Sequence, residues 1–150
     1  VDSDEHDEQG LITENFDMRR LMVGKRLKRL ERLREIALPP TAIGRPEAAE
    51  TIIACWGSNR GVVEESLDIA GNGTIAGLHF AQPYPLNPAH LKMFEGKRVV
   101  VLENNATGQF ADLLALASGK APDRRVLKWS GEPFSVDEVV RVVQEEACHA

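Results

Sequence analysis

A three-layer α/β/α fold, with a mostly parallel sheet between two layers of helices, is what this sequence predicts from about residue 41 to its end. Three observations predict it. Short apolar runs rich in strand-forming residues begin at Thr51, Thr74, Arg98 and Arg125, spaced 23 to 27 residues apart, which is the period of a strand–helix–strand crossover. Segments with helical spacing of apolar residues lie between them. The runs themselves are nearly continuous in apolar residues rather than alternating, as in strands covered on both faces.

Before that domain come two segments of opposite charge. Residues 1–15 form an acidic lead-in. Seven acids and no Lys or Arg fall within residues 1–17, and so few apolar side chains predict a solvated or disordered segment on its own. The acid density equally suits docking onto a basic surface. Residues 16–40 read as a basic linker helix. Eight Lys or Arg stand against two Glu over residues 18–35. Val23, Leu27, Leu30 and Leu33 recur at three- and four-residue steps and make one apolar stripe. Asn15 or Asp17 can cap the helix, and Pro39-Pro40 stops it at about residue 37. The basic stripe suits a partner helix, nucleic acid or a membrane surface. It suits equally a solvated connector whose leucines pack on a neighbour, the preferred reading because no aromatic residues interleave the cations.

Residues 41–150 make the α/β domain. Residues 42–44 predict a short edge strand, and Thr51–Trp56 a buried one. The turn at 57–61 leads into a helix over 62–70. Residues 74–80 form the next strand. Pro88 suits the first turn of a short helix ending at Phe94. Arg98–Glu103 is the strongest strand pattern, followed by a polar turn and the helix Gln109–Ser118. Residues 125–128 give a last short strand. Ser135 with Glu138 three residues later is a capping box, opening a final helix to about Glu146.

Composition bounds the function. Apolar residues are 43% and charged residues 27% of the chain, with net charge −5, ordinary for a cytosolic globular protein. No apolar run approaches a membrane helix, and the acidic start is not a signal peptide; the reading is cytoplasmic, with neither membrane nor nucleic acid as partner. The missing initiator methionine reads as a chain cut from a longer one. The two cysteines, Cys55 and Cys148, have neither zinc nor iron–sulfur spacing. Cys55 reads as a small buried hydrophobe and Cys148 as a frayed terminal residue, so no structural disulfide is expected. His6 stands among Asp4, Glu5, Asp7 and Glu8, a conceivable metal site but more simply a solvated tail; no metal ligand is assigned. His79 reads as a core or face residue, and His90 and His149 as exposed. No catalytic residue is assigned.

Open parallel sheets collect ligands beyond the carboxyl ends of their strands. Three loops belong there. In the first, Trp56, Gly57, Ser58 and Asn59 precede Arg60 and Gly61; the glycines and helix start could cradle an anion, or Ser58 or Asn59 simply caps the helix. The second, residues 80–88, is stiffened by prolines and carries Tyr84. It reads as a rigid partner surface or as an ordinary turn. In the third, Glu103, Asn104, Asn105, Thr107, Gly108 and Gln109 bring more hydrogen-bonding side chains to a strand end than capping needs. That loop is the best local candidate for a site, against a purely structural network.

The order of the blocks is informative. DSDEHDEQG-LITEN at 2–15, MVGKRLKRL at 22–30, CWGSNRG at 55–61, LHFAQPYPL at 78–86, VLENNATGQ at 101–109 and LKWSGEPF at 127–134 together resemble the alpha subunit of 2-oxoacid:ferredoxin oxidoreductases, the 2-oxoglutarate type most of all. Leu11 stands where the family usually has His. The resemblance implies a C-terminal domain similar to the transketolase C-terminal domain. It implies a parent complex that uses thiamine diphosphate, magnesium, iron–sulfur clusters and coenzyme A, and that passes electrons to ferredoxin. It further implies partners in the beta subunit and the rest of the alpha subunit, with the loops at 56–61 and 103–109 at the subunit interface or active-site wall. None of the cofactors is expected to be held by this chain alone, so the chain by itself is expected to be inactive. Two other classes stay open at this point: a freestanding nucleotide- or phosphate-binding module, and a regulatory protein whose basic helix binds an acidic partner.

Overall fold

The structure, a computed structural model, describes residues 4–148; His149 and the first three residues of the acidic lead-in lie outside them. The chain divides into two compact units, Val1–Ile36 and Ala37–Ala150.

In the first unit the lead-in is ordered as an antiparallel hairpin of β1 (Glu5–His6) and β2 (Ile12–Thr13). Composition alone pointed to a solvated segment; local side-chain chemistry makes the difference. Asp7 Oδ1 accepts the N–H of Gln9 and of Leu11, each at 2.9 Å, the local bonding with which Asp makes turns. Gly10 takes φ 84°, a conformation open to glycine. The acids find their basic surface within the same unit, on helix α1 (Phe16–Glu35). Glu5 is ion-paired with Arg26, and Glu8 with Lys25 at 3.2 Å. The Arg26 guanidinium, helped by the His6 backbone N–H, holds the Glu5 carboxyl down at about 2. Asn15 caps α1, its Oδ1 accepting from the N–H of Asp17 and Met18 at 2.9 and 3.0 Å. Met22 is the helix's buried side chain. The stripe of Val23, Leu27 and Leu33 stays 40%, 58% and 39% exposed.

The second unit is built on a five-stranded sheet in the order β3-β5-β4-β6-β7. Strands β4 (Thr51–Trp56), β5 (Ile75–Phe80), β6 (Arg98–Glu103) and β7 (Arg124–Leu127) are parallel. The edge strand β3 (Thr41–Ile43) runs antiparallel to β5. Helix α2 is Asn59–Ala70, α3 is Gln109–Ser118 and α4 is Val136–Ala147, with a 3-10 helix at Pro88–Phe94. The fold is the mixed α/β, mostly parallel architecture that the sequence predicts. Helix α2 starts three residues early because Gly57, at φ 61°, completes the turn and leaves Ser58 at the N-cap. The 88–94 segment is 3-10 rather than α, in keeping with its seven-residue length and the use of that helix in short pieces.

The sheet buries both faces. Ile52, Ala54, Leu78, Phe80 and Val101 pack with Leu91, Phe94, Phe110 and Leu114, on the side of the 3-10 helix and α3. Ile53, Cys55, Val100 and Leu102 point the other way, to Val63, Val139 and Val143 of α2 and α4. This is the period-two alternation of a strand sandwiched between helices, and each fully buried Val, Leu, Ile or Phe side chain among them contributes about 1.5–3 kcal/mol. Gly77 lies where α2 closes on the sheet. A Cβ there would stand 3.1 Å from both Ile43 Cβ and Val63 Cγ1, so the absent side chain sets the helix-to-sheet distance. At the amino ends of the strands, Glu146 is fully buried between Arg98 Nε at 2.5 Å and Arg124 Nη1 at 2.9 Å.

Candidate interface at the carboxyl ends of the parallel strands

From β4 the chain crosses through α2 to β5 on one side, then returns to β6 on the other side of β4. Helices α2 and α3 consequently leave from opposite faces of the sheet. The crevice between the ends of β4 and β6 is the topological switch point, where open α/β sheets bind. An open groove of about 510 Å³ lies there, lined by Ser58 after β4, Asn104 after β6, and Lys128, Trp129, Gly131, Glu132 and Pro133 after β7. Two of the three loops singled out in the sequence are thus brought together.

The candidate residues sort into two kinds. Glu103, fully buried, accepts the N–H of Phe110 at 2.9 Å and of Ala111 at 3.1 Å, and Asn105 Nδ2 donates to it. Asn105 Oδ1 in turn accepts from the N–H of Thr107, Gly108 and Gln109 at 3.1, 2.6 and 3.3 Å. Together these oxygens consume the free amides at the start of α3, the groups that otherwise attract a phosphate. Gly108 takes φ 72°, and a Cβ there would stand 3.0 Å from Arg125 Nη1. Glu103, Asn105 and Gly108 therefore build the loop.

Asn104, Thr107 and Gln109 are exposed. No hydrogen bond of their side chains occurs among the described residues. Ser58 is exposed and makes no side-chain cap bond, while Asn59 is buried in the first turn of α2. Trp56 is half-buried, its ring 6.4 Å from that of Phe110, and its Nε1 is buried without a partner. Gly57 C=O accepts from His79 Nε2 at 3.0 Å; His79 thus ties the first loop to β5.

Sequence reasoning did not single out Trp129, which lines this groove. It is 67% exposed on a loop held from below by Lys128, whose Nζ donates to Pro133 C=O and to both Glu138 oxygens at 2.8–2.9 Å and lies 5.8 Å from the centre of the Phe134 ring. The signal available was composition. The chain has two Trp and one Tyr, and Trp56, Tyr84 and Trp129 all fall at the carboxyl ends of parallel strands. Tyr84, in the proline-stiffened loop after β5, is 54% exposed. That loop is braced by Gln82, which accepts from Leu38 N–H at 3.2 Å and donates to Pro85 C=O at 3.1 Å.

The donors needed for the implied redox and metal groups do not fit here. Cys55 is a core residue of β4, and burial pushes its thiol up to about 12, the opposite of the thiolate a cluster ligand requires. Cys148 is a free, exposed cysteine. Among the described residues no three His, Cys, Asp or Glu side chains are grouped to hold a metal ion; His6 Nδ1 is spent on Asp7 C=O at 2.8 Å. No helix among the described residues is long and apolar enough to cross a membrane.

No family model matches the sequence. Comparison with curated proteins does find relatives. The chain is 31% identical over 141 residues to 2-oxoacid:ferredoxin oxidoreductase 1, subunit alpha, of Sulfurisphaera tokodaii, and 31% identical over 144 residues to the alpha subunit from Saccharolobus solfataricus. It is 32% identical over 149 residues to 2-oxoacid:ferredoxin oxidoreductase 2, subunit alpha, of Aeropyrum pernix. The matches cover 91–93% of this chain, which spans only 22–23% of the relatives' length. Among solved structures, the 2-oxoglutarate:ferredoxin oxidoreductase of Magnetococcus marinus, with 2-oxoglutarate, coenzyme A and succinyl-CoA bound, superposes with a TM-score of 0.80 at 25% identity, over 95% of this chain and 25% of that one. Over nine-tenths of its length, in sequence and in fold, the chain is thus similar to one domain-sized portion of the alpha subunits of 2-oxoacid:ferredoxin oxidoreductases.

Proposed function

We propose that this chain acts as the C-terminal domain of the alpha subunit of a 2-oxoacid:ferredoxin oxidoreductase, with 2-oxoglutarate as the 2-oxo acid. Its loop-bearing edge packs on the beta subunit and on the rest of the alpha subunit. There it forms one wall of the site where thiamine diphosphate, with magnesium, supports oxidative decarboxylation to an acyl-CoA. Iron–sulfur clusters elsewhere in the assembly carry the electrons to ferredoxin. Residues 1–15 and 16–40 serve as the lead-in and linker to this domain.

The observation that carries the reading is the concentration of Trp56, Tyr84 and Trp129 with the unpartnered side chains of Asn104 and Gln109 at one edge of the sheet. Tyr and Trp are enriched among the residues that dominate binding at protein interfaces. This edge is rigid, since Glu103, Asn105, Gln82 and Lys128 each brace a loop from behind. The relatives, named as alpha subunits of 2-oxoacid:ferredoxin oxidoreductases, supply the chemical class.

The test is the double variant Asn104→Ala, Gln109→Ala in the assembled enzyme. Subunit affinity or 2-oxoglutarate-dependent ferredoxin reduction is expected to fall about tenfold, the equivalent of about 1.4 kcal/mol. Wild-type assembly together with wild-type turnover would sink the reading.

A further inference from the structure

Helix α1 carries a basic face that the hairpin covers only in part. Lys25, Lys28, Arg29 and Arg32 stand at i, i+3, i+4 and i+7 and share one side of the helix. Glu8 takes Lys25; the side chains of Lys28, Arg29 and Arg32 make no hydrogen bond or ion pair among the described residues. Flanking them, Leu33 and Ile36 are exposed. A helix of this length draws most of its stability from packing an apolar face, yet Met22 is its only buried residue.

We propose that the second half of α1 docks on an acidic protein surface of another chain, with carboxylates against Lys28, Arg29 and Arg32 and apolar side chains against Leu33 and Ile36. Charge complementarity specifies the occupant, because one turn earlier the same face is already met by a carboxylate, from the hairpin. Nucleic acid fits less well. No aromatic residue occurs from 17 to 55 to stack on a base, and Glu31 and Glu35 stand three residues after Lys28 and Arg32, where they would repel phosphate. The exposed Leu33 and Ile36 also have no use for a sugar–phosphate backbone. The inference rests on the reading that the chain works among other subunits.

The experiment uses the complete alpha and beta subunits, purified as a complex. Zero-length carbodiimide coupling joins an amine only to a carboxylate in contact with it, and mass spectrometry locates the link. Lys28 is expected to couple to an Asp or Glu of a different subunit. The variant Lys28→Glu, Arg29→Glu, Arg32→Glu is expected to weaken subunit affinity at least tenfold at low salt and to flatten its salt dependence. Coupling of Lys28 only within its own chain, or to a second copy of it, overturns the proposal, as does unchanged assembly of the triple variant. Nucleic acid that co-purifies with the wild type and is lost from a triple variant of normal assembly overturns it in favour of that partner. Failure of the functional reading shows separately, as a wild-type complex that does not reduce ferredoxin with a 2-oxo acid, and leaves the coupling result standing.

Discussion

Lys128 Nζ bridges to both carboxylate oxygens of Glu138, at 2.9 and 2.8 Å, and so fastens the loop that carries Trp129 to the first turn of α4. Glu138 also closes the capping box with Ser135. Lys128 and then the Ser135 N–H hold the Glu138 carboxyl down at about 2, from an ordinary 4.5. A carboxyl with a depressed folded value stabilises fully above its unfolded value and loses that contribution as the pH falls through the folded one. Protection of the 128–138 amides from hydrogen exchange is therefore expected to be constant above about pH 5 and to decline between about pH 4.5 and 2. Substituting Glu138→Gln should abolish that decline by lowering protection at neutral pH. Protection that stays flat in both proteins would refute the bridge.

Glu103→Ala leaves the N–H groups of Phe110 and Ala111 buried without acceptors. Each orphaned group costs about 1–3 kcal/mol, so a loss of about 2–6 kcal/mol is expected in urea denaturation, together with fraying of the first turn of α3. A loss below about 1 kcal/mol would mean that the carboxylate does not hold this helix.

Glu146→Gln is expected to destabilise by about 3 kcal/mol, because it removes the charge that faces two guanidinium groups at a buried position. Burial alone would raise the Glu146 carboxyl; the hydrogen bonds of Arg98 and Arg124 outweigh it and leave it below the usual range. The contribution is thus present at neutral pH and fades on acidification, so wild type and variant should converge in stability at low pH. Parallel curves would contradict the assignment.

Trp129→Ala should separate stability from docking. The side chain is largely exposed, and such substitutions stay within about 0.5 kcal/mol. Subunit affinity should nonetheless fall at least tenfold, as at an interface anchor of about 1.4 kcal/mol or more. An unchanged affinity would remove Trp129 from the interface.

The strands and α4 could be read from sequence because their signals are local. Residues 51–56 and 98–103 are dense in strand formers, and Ser135 with Glu138 is a reciprocal cap that needs no tertiary context. The ordering of the lead-in was hidden because it depends on Asp7 reaching two amides and on Glu5 meeting Arg26, 21 positions away. Glu103 stood out as polar in an odd place. Whether it faced solvent or the amides seven and eight residues on was a question of orientation that spacing does not answer. Trp129 was missed for a similar reason, since its exposure follows from Lys128 folding back to Pro133 and Glu138. The basic stripe of α1 was visible, but that its first member is already matched by Glu8 was not.

The two indoles of this chain occupy contrasting surroundings, one wedged against Phe110 and one standing in solvent. Each is therefore a built-in optical reporter of a different event. Emission from position 56 will be blue-shifted, poorly quenched by iodide and sensitive to loss of the core. Emission from position 129 will be red-shifted, readily quenched, and will shift to the blue only when something covers the loop, so single-Trp variants can follow folding and docking as two independent signals.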